Sequence, residues 1–204
     1  MNRIRTLLGT AVALVLATGL LSGCGERVDP DLAARYPHEH TVPVQHPGVD
    51  DDCPDATVTV RSADPGWRQW PAGVPQIRLD APEGEPRWYT IVNAVCSARK
   101  RVQSENPELP WTLEDALARL GDACPEPHTV EIPGWEAALC SGYREGDAFV
   151  SDLVAINDDH YLVVRASAWP ERDAGEGTDP ESLEQARPML RAGEELLRTA
   201  RPDF

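Results

Sequence analysis

The stretch AFVSDLVAINDDHYLVVRASAW, residues 148–169, decides the fold of this 204-residue chain. It contains two runs rich in β-branched and aromatic residues, 148–156 and 161–169, which are separated by the polar turn 157–159. Two such runs across a tight turn are typical of a β-hairpin. Residues 136–143 form a similar run before the turn 144–147, so the sequence predicts an antiparallel meander.

Earlier segments also favour strands, because they combine β-branched and aromatic residues and are bounded by turn-forming residues. They are residues 56–61, 76–79 and 88–98, and residues 129–132 form a shorter one. Residues 100–110 are polar, so we expect a loop there.

Two segments predict helices that each have one apolar face. Thr112 is a candidate N-cap with Asp115 three residues later, a variant of the capping box. The second helix follows Thr178 or Asp179, with Pro180 at its first position. The apolar faces are formed by Leu113, Leu117 and Leu120 in the first helix and by Leu183, Ala186, Leu190, Gly193 and Leu197 in the second. We therefore predict an α+β domain in which an antiparallel sheet is covered by two main helices.

The first residues have the pattern of a secretion signal. Arg3 and Arg5 precede an uncharged, apolar run over residues 6–21, which is too short to span a membrane. The run ends in Leu21-Ser-Gly-Cys24, which resembles the bacterial lipobox. We expect residues 1–23 to be a lipoprotein signal peptide and Cys24 to carry the lipid, with an ordinary signal peptide as the alternative. This predicts a lipid-anchored protein on the extracytoplasmic face of the cell membrane.

The chain is strongly acidic, with a net charge of −15 that becomes −17 once residues 1–23 are removed. Such a charge argues against a nucleic-acid partner, because phosphate backbones would repel the protein. Residues 24–52 are rich in Pro, Gly, His and acidic residues and have little hydrophobic periodicity, so they predict a flexible acidic tether. Residues 53–204 are long enough for a single α+β domain.

Four cysteines remain after Cys24: Cys53, Cys96, Cys124 and Cys140. An even number in an oxidising compartment predicts two disulfides, with three possible connectivities. The pairs Cys53–Cys96 and Cys124–Cys140 are favoured, because the second closes a short loop between a helix end and the next strand. A four-cysteine zinc site is the alternative, although such sites usually contain a C-x-x-C pair, which this sequence lacks.

The order of segments resembles the PsbP/Mog-like fold, including its secreted actinobacterial lipoproteins. The matching stretches are RLDAPEG at 78–84, TLEDALA at 112–118, the meander over 136–169 and the closing helix over 182–198. The resemblance implies an α/β/α sandwich that serves mostly as a non-catalytic binding module. The four cysteines of the domain depart from the family's pattern.

Two groups of side chains are candidates for a site. His38, His40 and His46 could bind a borderline metal such as zinc or copper, because histidines two apart on an extended chain point the same way. Trp67 and Trp70 lie in a Pro/Gly-rich stretch and could form a surface for a ligand or partner.

No catalytic motif stands out in the sequence, and no cofactor is predicted. We therefore expect a non-catalytic binding or accessory protein of the cell envelope, whose partner is an envelope protein or a small ligand. The alternatives are a small envelope hydrolase without a recognisable motif and a metal-handling lipoprotein that uses the histidines of the tether.

Overall fold

The structure, a computed structural model, describes residues 30–45, 53, 56–70, 74–82, 88–105, 111–120, 124, 126–171 and 183–204. Its strands are β1 His38–Gln45, β2 Thr57–Ser62, β3 Arg68–Gln69, β4 Gln76–Asp80, β5 Trp88–Ala98, β6 His128–Thr129, β7 Glu136–Glu145, β8 Ala148–Ile156, β9 His160–Pro170 and β10 Arg201–Asp203. Its helices are α1 Pro30–Arg35, α2 Arg99–Glu105, α3 Leu113–Ala118 and α4 Leu183–Arg198.

All ten strands join one curled sheet in the order β10-β2-β1-β5-β9-β8-β7-β6, and β4 pairs with both β3 and β5. The meander β7-β8-β9 is antiparallel, as predicted. Its second turn is held by Asn157, whose Oδ1 accepts hydrogen bonds from the backbone N–H groups of Asp159 and His160, at 2.9 and 2.6 Å. The sheet is nevertheless mixed, because β1 runs parallel to β5. The prediction of a purely antiparallel sheet is therefore wrong at that pair.

Helix α4 covers one face of the sheet. The closest approach is at Gly193, where an added Cβ would lie 2.7 Å from the Ala166 Cβ of β9. The Thr90 hydroxyl of β5 donates a 2.8 Å hydrogen bond to the Met189 carbonyl of the helix. Leu196 and Leu197 of α4 are fully buried in the core. The helix is therefore closely packed on this side of the sheet.

The described residues contain four helices where the sequence predicts two main ones. Helix α3 begins as expected, because the Thr112 hydroxyl accepts a 3.2 Å hydrogen bond from the Asp115 backbone N–H. Helix α2, Arg99–Glu105, occupies part of the polar stretch expected to be a loop, so that expectation is wrong for residues 100–105. The proposed start of the last helix at Thr178 or Asp179 lies outside the described residues.

The domain begins before residue 53. Strand β1 pairs with β2 over six residues, and Val42 and Val44 are buried in the core. The prediction of a flexible tether over residues 24–52 is therefore wrong for α1 and β1. It failed because β1, HEHTVPVQ, carries polar residues at most positions and buries only two valines.

Two disulfides are present, Cys53–Cys96 and Cys124–Cys140, which is the favoured connectivity. The first joins the segment before β2 to the C-terminal end of β5, and the second joins the segment after α3 to β7. In the described part of the chain, no helix is long and apolar enough to cross a membrane.

Candidate functional site

The second face of the sheet, opposite α4, is only partly covered. Helix α3 packs near β7 and β8, while the side chains that β4, β5 and β9 direct to this face remain half-exposed. Strand β5 shows the contrast directly, because its residues alternate between buried and half-buried from Trp88 to Cys96. We call the uncovered part of β4, β5 and β9 the open face.

Strand register arranges the open face in three rows. Paired residues of neighbouring strands lie directly opposite each other and point to the same side. Reading from β4 through β5 to β9, the rows are Gln76–Asn93–Arg165, Arg78–Ile91–Ser167 and Asp80–Tyr89–Trp169. Polar and aromatic side chains therefore lie side by side at the centre of the sheet.

The residues of these rows, except Arg78 and Asp80, line a half-open groove of about 540 Å³. Asp147, Pro170 and Glu171 add to its lining, and Asp147 is exposed. The volume lies in the range of about 300–1,000 Å³ that is usual for small-molecule sites.

At one end of the groove, the rings of Trp70 and Tyr89 pack against the guanidinium of Arg78. The guanidinium of Arg78 lies 4.0 Å from the ring centre of Tyr89 and 4.7 Å from that of Trp70, at cation–π distances. Arg78 also forms ion pairs with Asp80 and, at 3.5 Å, with Glu171. Its charge is thus compensated by two carboxylates, and it holds the two rings in place.

The other end is a buried ion-pair network centred on Asp152, a fully buried residue of β8. Arg165 donates to both of its carboxylate oxygens, at 2.8 and 2.9 Å, and to Glu145 at 2.7 Å. Tyr143 donates its hydroxyl proton to Asp152. The hydrogen bond to Asp152 is the main cause that raises the pKa of Arg165 above its usual value.

Burial and the hydrogen bond to Asp152 raise the pKa of Tyr143 well above its ordinary value near 10. Tyr143 therefore keeps its proton at neutral pH and acts as a hydrogen-bond donor, not as a base. The network as a whole is satisfied internally, so its role is to hold Arg165 at the edge of the groove.

Several polar groups in the groove have no such partner. Among the described residues, the side chains of Gln76, Asn93 and Ser167 make no hydrogen bond with one another or with any other residue. Ser167 is only 9% exposed, and yet it lines the groove. Its hydroxyl opens onto the groove, so water or a ligand can form the hydrogen bonds that the protein does not supply. These three groups are thus available to a molecule that enters the groove.

A second concavity of about 590 Å³ lies beside Trp135, between α3 and the β6–β7 region. Its lining is mostly apolar, and it includes Leu113, Ile132 and Pro133. No cluster of unpaired neutral polar side chains converges there, so it offers less chemistry for recognition than the groove does.

The predicted histidine site is only partly described. His38 and His40 lie on the same side of β1, as expected for residues two apart, whereas His46 lies outside the described residues. Nε2 of His40 is 2.9 Å from the Ser62 hydroxyl, and no group of three or more metal-ligating side chains converges within the described part of the chain. Burial, and next His38, lower the pKa of His40.

The contact between His40 and Ser62 is not a nucleophile–base pair. The Ser62 hydroxyl donates its proton to the Asp64 carbonyl at 2.6 Å. His40 must therefore donate its Nε2 proton to Ser62, and a protonated nitrogen cannot accept the hydroxyl proton.

The structure places the two tryptophans of the predicted surface differently. Trp67 is 5% exposed and belongs to the hydrophobic core, so its place on a partner surface is wrong. Trp70 is half-exposed and lies next to the groove, against Arg78. Cys24 lies outside the described residues, so its lipidation stays a prediction.

We did not predict the groove from the sequence, although the sequence contains a pattern that indicates it. Both 88–98 and 160–170 alternate with a period of two, and one set of positions contains Tyr89, Asn93, Arg165 and Trp169. Polar and aromatic residues on one side of two long central strands indicate a face that no helix covers.

No family model matches the chain, and no curated protein sequence matches it either.

Proposed function

We propose that the protein is a lipid-anchored binding protein on the extracytoplasmic face of the membrane, without catalytic activity, and that the groove is its ligand site. The observation that carries the proposal is the groove itself, with unpaired polar side chains beside aromatic rings at the centre of a rigid sheet. The lipobox-like stretch before Cys24 and the resemblance to PsbP/Mog-like lipoproteins support the location and the binding role.

The charged groups at the two ends of the groove are engaged with one another, which favours binding over catalysis. Both carboxylate oxygens of Asp152 accept hydrogen bonds from Arg165, and one also accepts from Tyr143, so this carboxylate is not directed to a substrate. Tyr143 holds its own proton, and Arg78 is occupied by Asp80 and Glu171. General acid–base catalysis requires a group whose pKa lies near the working pH and which can reach the substrate. The charged residues at the two ends of the groove therefore position neighbouring side chains.

Photo-crosslinking in cells tests the ligand site. A photoreactive amino acid replaces Asp147, which is exposed at the groove, in the full-length protein expressed in its own host. We expect an adduct with an envelope component after irradiation. The matched control replaces Glu184, an exposed residue of α4 behind the sheet, and should give no such adduct. Equal labelling from both positions, or none from Asp147, would overturn the groove as the ligand site.

The anchor has its own test. Cys24→Ser removes the thiol that would receive the lipid, so the variant should lose incorporation of labelled palmitate and leave the membrane fraction or accumulate as precursor. Cys53→Ser serves as the control, because it removes a cysteine that the folded domain holds in a disulfide and should leave acylation intact. Acylation of the Cys24→Ser protein at the wild-type level would refute the proposed anchor.

A further inference from the structure

We propose that the groove binds a neutral oligosaccharide, an inference that rests on the proposed function and specifies its ligand. Four properties of the open face lead to this class: its aromatic and apolar surfaces, its neutral hydrogen-bonding groups, the pairing of its arginines with carboxylates, and the lack of an unpaired strand edge at its floor.

The apolar surfaces suit a sugar ring. Tyr89 and Trp169 are opposite each other in the strand register, and Ile91 lies in the adjoining row. All three are half-exposed and line the groove. A sugar ring presents a face of C–H groups, which loses contact with water when it packs on an aromatic ring.

The polar groups suit the hydroxyls of the same ring. The amides of Gln76 and Asn93 are in the same row, and each has both donors and acceptors. The Ser167 hydroxyl, in the next row, also donates and accepts. Sugar hydroxyls have this dual character, so they can satisfy the amides and the buried serine without introducing a charge. Asp147, at the groove, supplies a further acceptor.

The charge distribution disfavours an anionic ligand. The two arginines of the open face are both held by carboxylates, Arg165 by Asp152 and Glu145 and Arg78 by Asp80 and Glu171. A phosphate or carboxylate would have to compete with these ion pairs in a chain of net charge −15. The ligand that fits without such a cost is neutral.

The floor of the groove disfavours a peptide that binds as an added strand. Binding of that kind draws its affinity from unpaired main-chain groups at a sheet edge. Strand β5 pairs with β9 without interruption from Trp88 to Ala98, and β4 pairs with β5 along the other side of the groove. The main chain at the floor is thus already paired, and only side chains are available for recognition.

The test uses the full-length lipoprotein, solubilised in a detergent without a sugar headgroup. An array of neutral gluco-, manno- and galacto-oligosaccharides is screened together with short peptides of similar mass, and titration calorimetry follows for any hit. We expect saturable binding of at least one oligosaccharide. Trp169→Ala should weaken it about tenfold or more, and Asn93→Ala about three- to tenfold, from the loss of ring packing and of one hydrogen bond.

Matched controls are Trp111→Ala and Gln103→Ala, which remove the same residue types outside the groove and should leave the dissociation constant unchanged. Thermal melting of each variant verifies that it is folded, and Asn93→Ala, a substitution of a half-exposed residue, provides a second test should Trp169→Ala unfold.

Binding of peptides alone, the absence of any oligosaccharide binding, or oligosaccharide binding unaffected by both groove substitutions would overturn the inference. An envelope adduct at Asp147 together with an empty oligosaccharide array would leave the groove as a ligand site and reject only the sugar. Failure of the crosslink would instead count against the proposed function.

Discussion

The two faces of the sheet are built from the same strands but differ in their burial and in the chemistry of their side chains. In β9, Leu162 and Ala166 point to α4 and are fully buried, whereas Arg165 and Trp169 point to the open face and stay partly exposed. The α4 face is apolar and close enough that Gly193 has no room for a Cβ. The open face contains ion pairs, amides and rings around a groove.

With the groove as the proposed ligand site, this difference would separate residues that stabilise the fold from residues that bind the ligand, at adjacent positions of one strand. Side chains of a strand alternate between faces, so a substitution at one position should affect folding, and one at the next position should affect binding. The rigid support for the groove then comes from the α4 face, which holds β5 and β9 in place. Substitutions on the two faces should therefore differ in their effect on stability, and we give them from the largest expected effect to the smallest.

The largest contrast should be between Leu162→Ala and Ile91→Ala. Leu162 is fully buried toward α4, so its truncation should lower the free energy of unfolding by about 2–5 kcal/mol. Ile91 is half-exposed on the open face, and because water already reaches it, its truncation should cost less than half as much. Urea denaturation measures both values. Equal losses would mean that something covers the open face as fully as α4 covers the other.

A smaller effect is expected at Gly193, where the informative result is whether a substitution raises or lowers the free energy of unfolding. Glycine to alanine within a helix normally stabilises by about 1 kcal/mol. Here the new Cβ would lie 2.7 Å from Ala166 and 3.1 Å from Thr90, so α4 must shift away from the sheet. We expect Gly193→Ala to destabilise by about 1–2 kcal/mol, since overpacking costs about 1–3 kcal/mol.

Denaturation of Gly193→Ala beside Arg191→Ala, an exposed position on the same helix, checks the sign. A gain in stability for the glycine variant would show that the helix and sheet are less tightly packed than described.

The smallest effect concerns the pH dependence contributed by Tyr143 on the open face. Its folded-state pKa is raised above the unfolded value near 10, so the folded protein holds the proton more tightly. The contribution to stability is therefore fully present below about pH 10 and is lost as the pH rises above it. Tyr143→Phe should flatten this alkaline decline and cost about 1 kcal/mol at neutral pH through the lost hydrogen bond.

Urea denaturation at neutral pH and above about pH 10 measures the slope, with Tyr36→Phe as a control that removes a hydroxyl far from Asp152. Identical alkaline slopes for Tyr143→Phe and the wild type would contradict the assignment.

The elements with strong local signals could be predicted from the sequence. Runs rich in β-branched and aromatic residues predicted β5, β8 and β9 closely, and the cap at Thr112 predicted the start of α3. The favoured disulfides also appear, because the Cys124–Cys140 loop is short and ends on a strand. The strands, the cap and the Cys124–Cys140 disulfide depend on residues near one another in the chain, whereas Cys53 and Cys96 are 43 residues apart.

The features that were missed depend on residues far apart in the chain. Strand β1 is stabilised by pairing with β2 and β5, and its own composition, with two histidines and a proline, resembles a linker. The groove requires the register that aligns Gln76, Asn93 and Arg165, which no single segment specifies. Trp67 was misplaced because a Pro/Gly-rich stretch does not reveal whether its side chains turn inward.

The early start of α1 at Pro30 also limits the protein's range of action. Only residues 25–29 separate Cys24 from that helix, and a fully extended chain advances about 3.5 Å per residue, or roughly 20 Å in all. With the lipid proposed on Cys24, the distance between the domain and the bilayer would be at most about one domain diameter. The domain would bind molecules near the membrane surface, and it would not extend to more distant layers of the envelope.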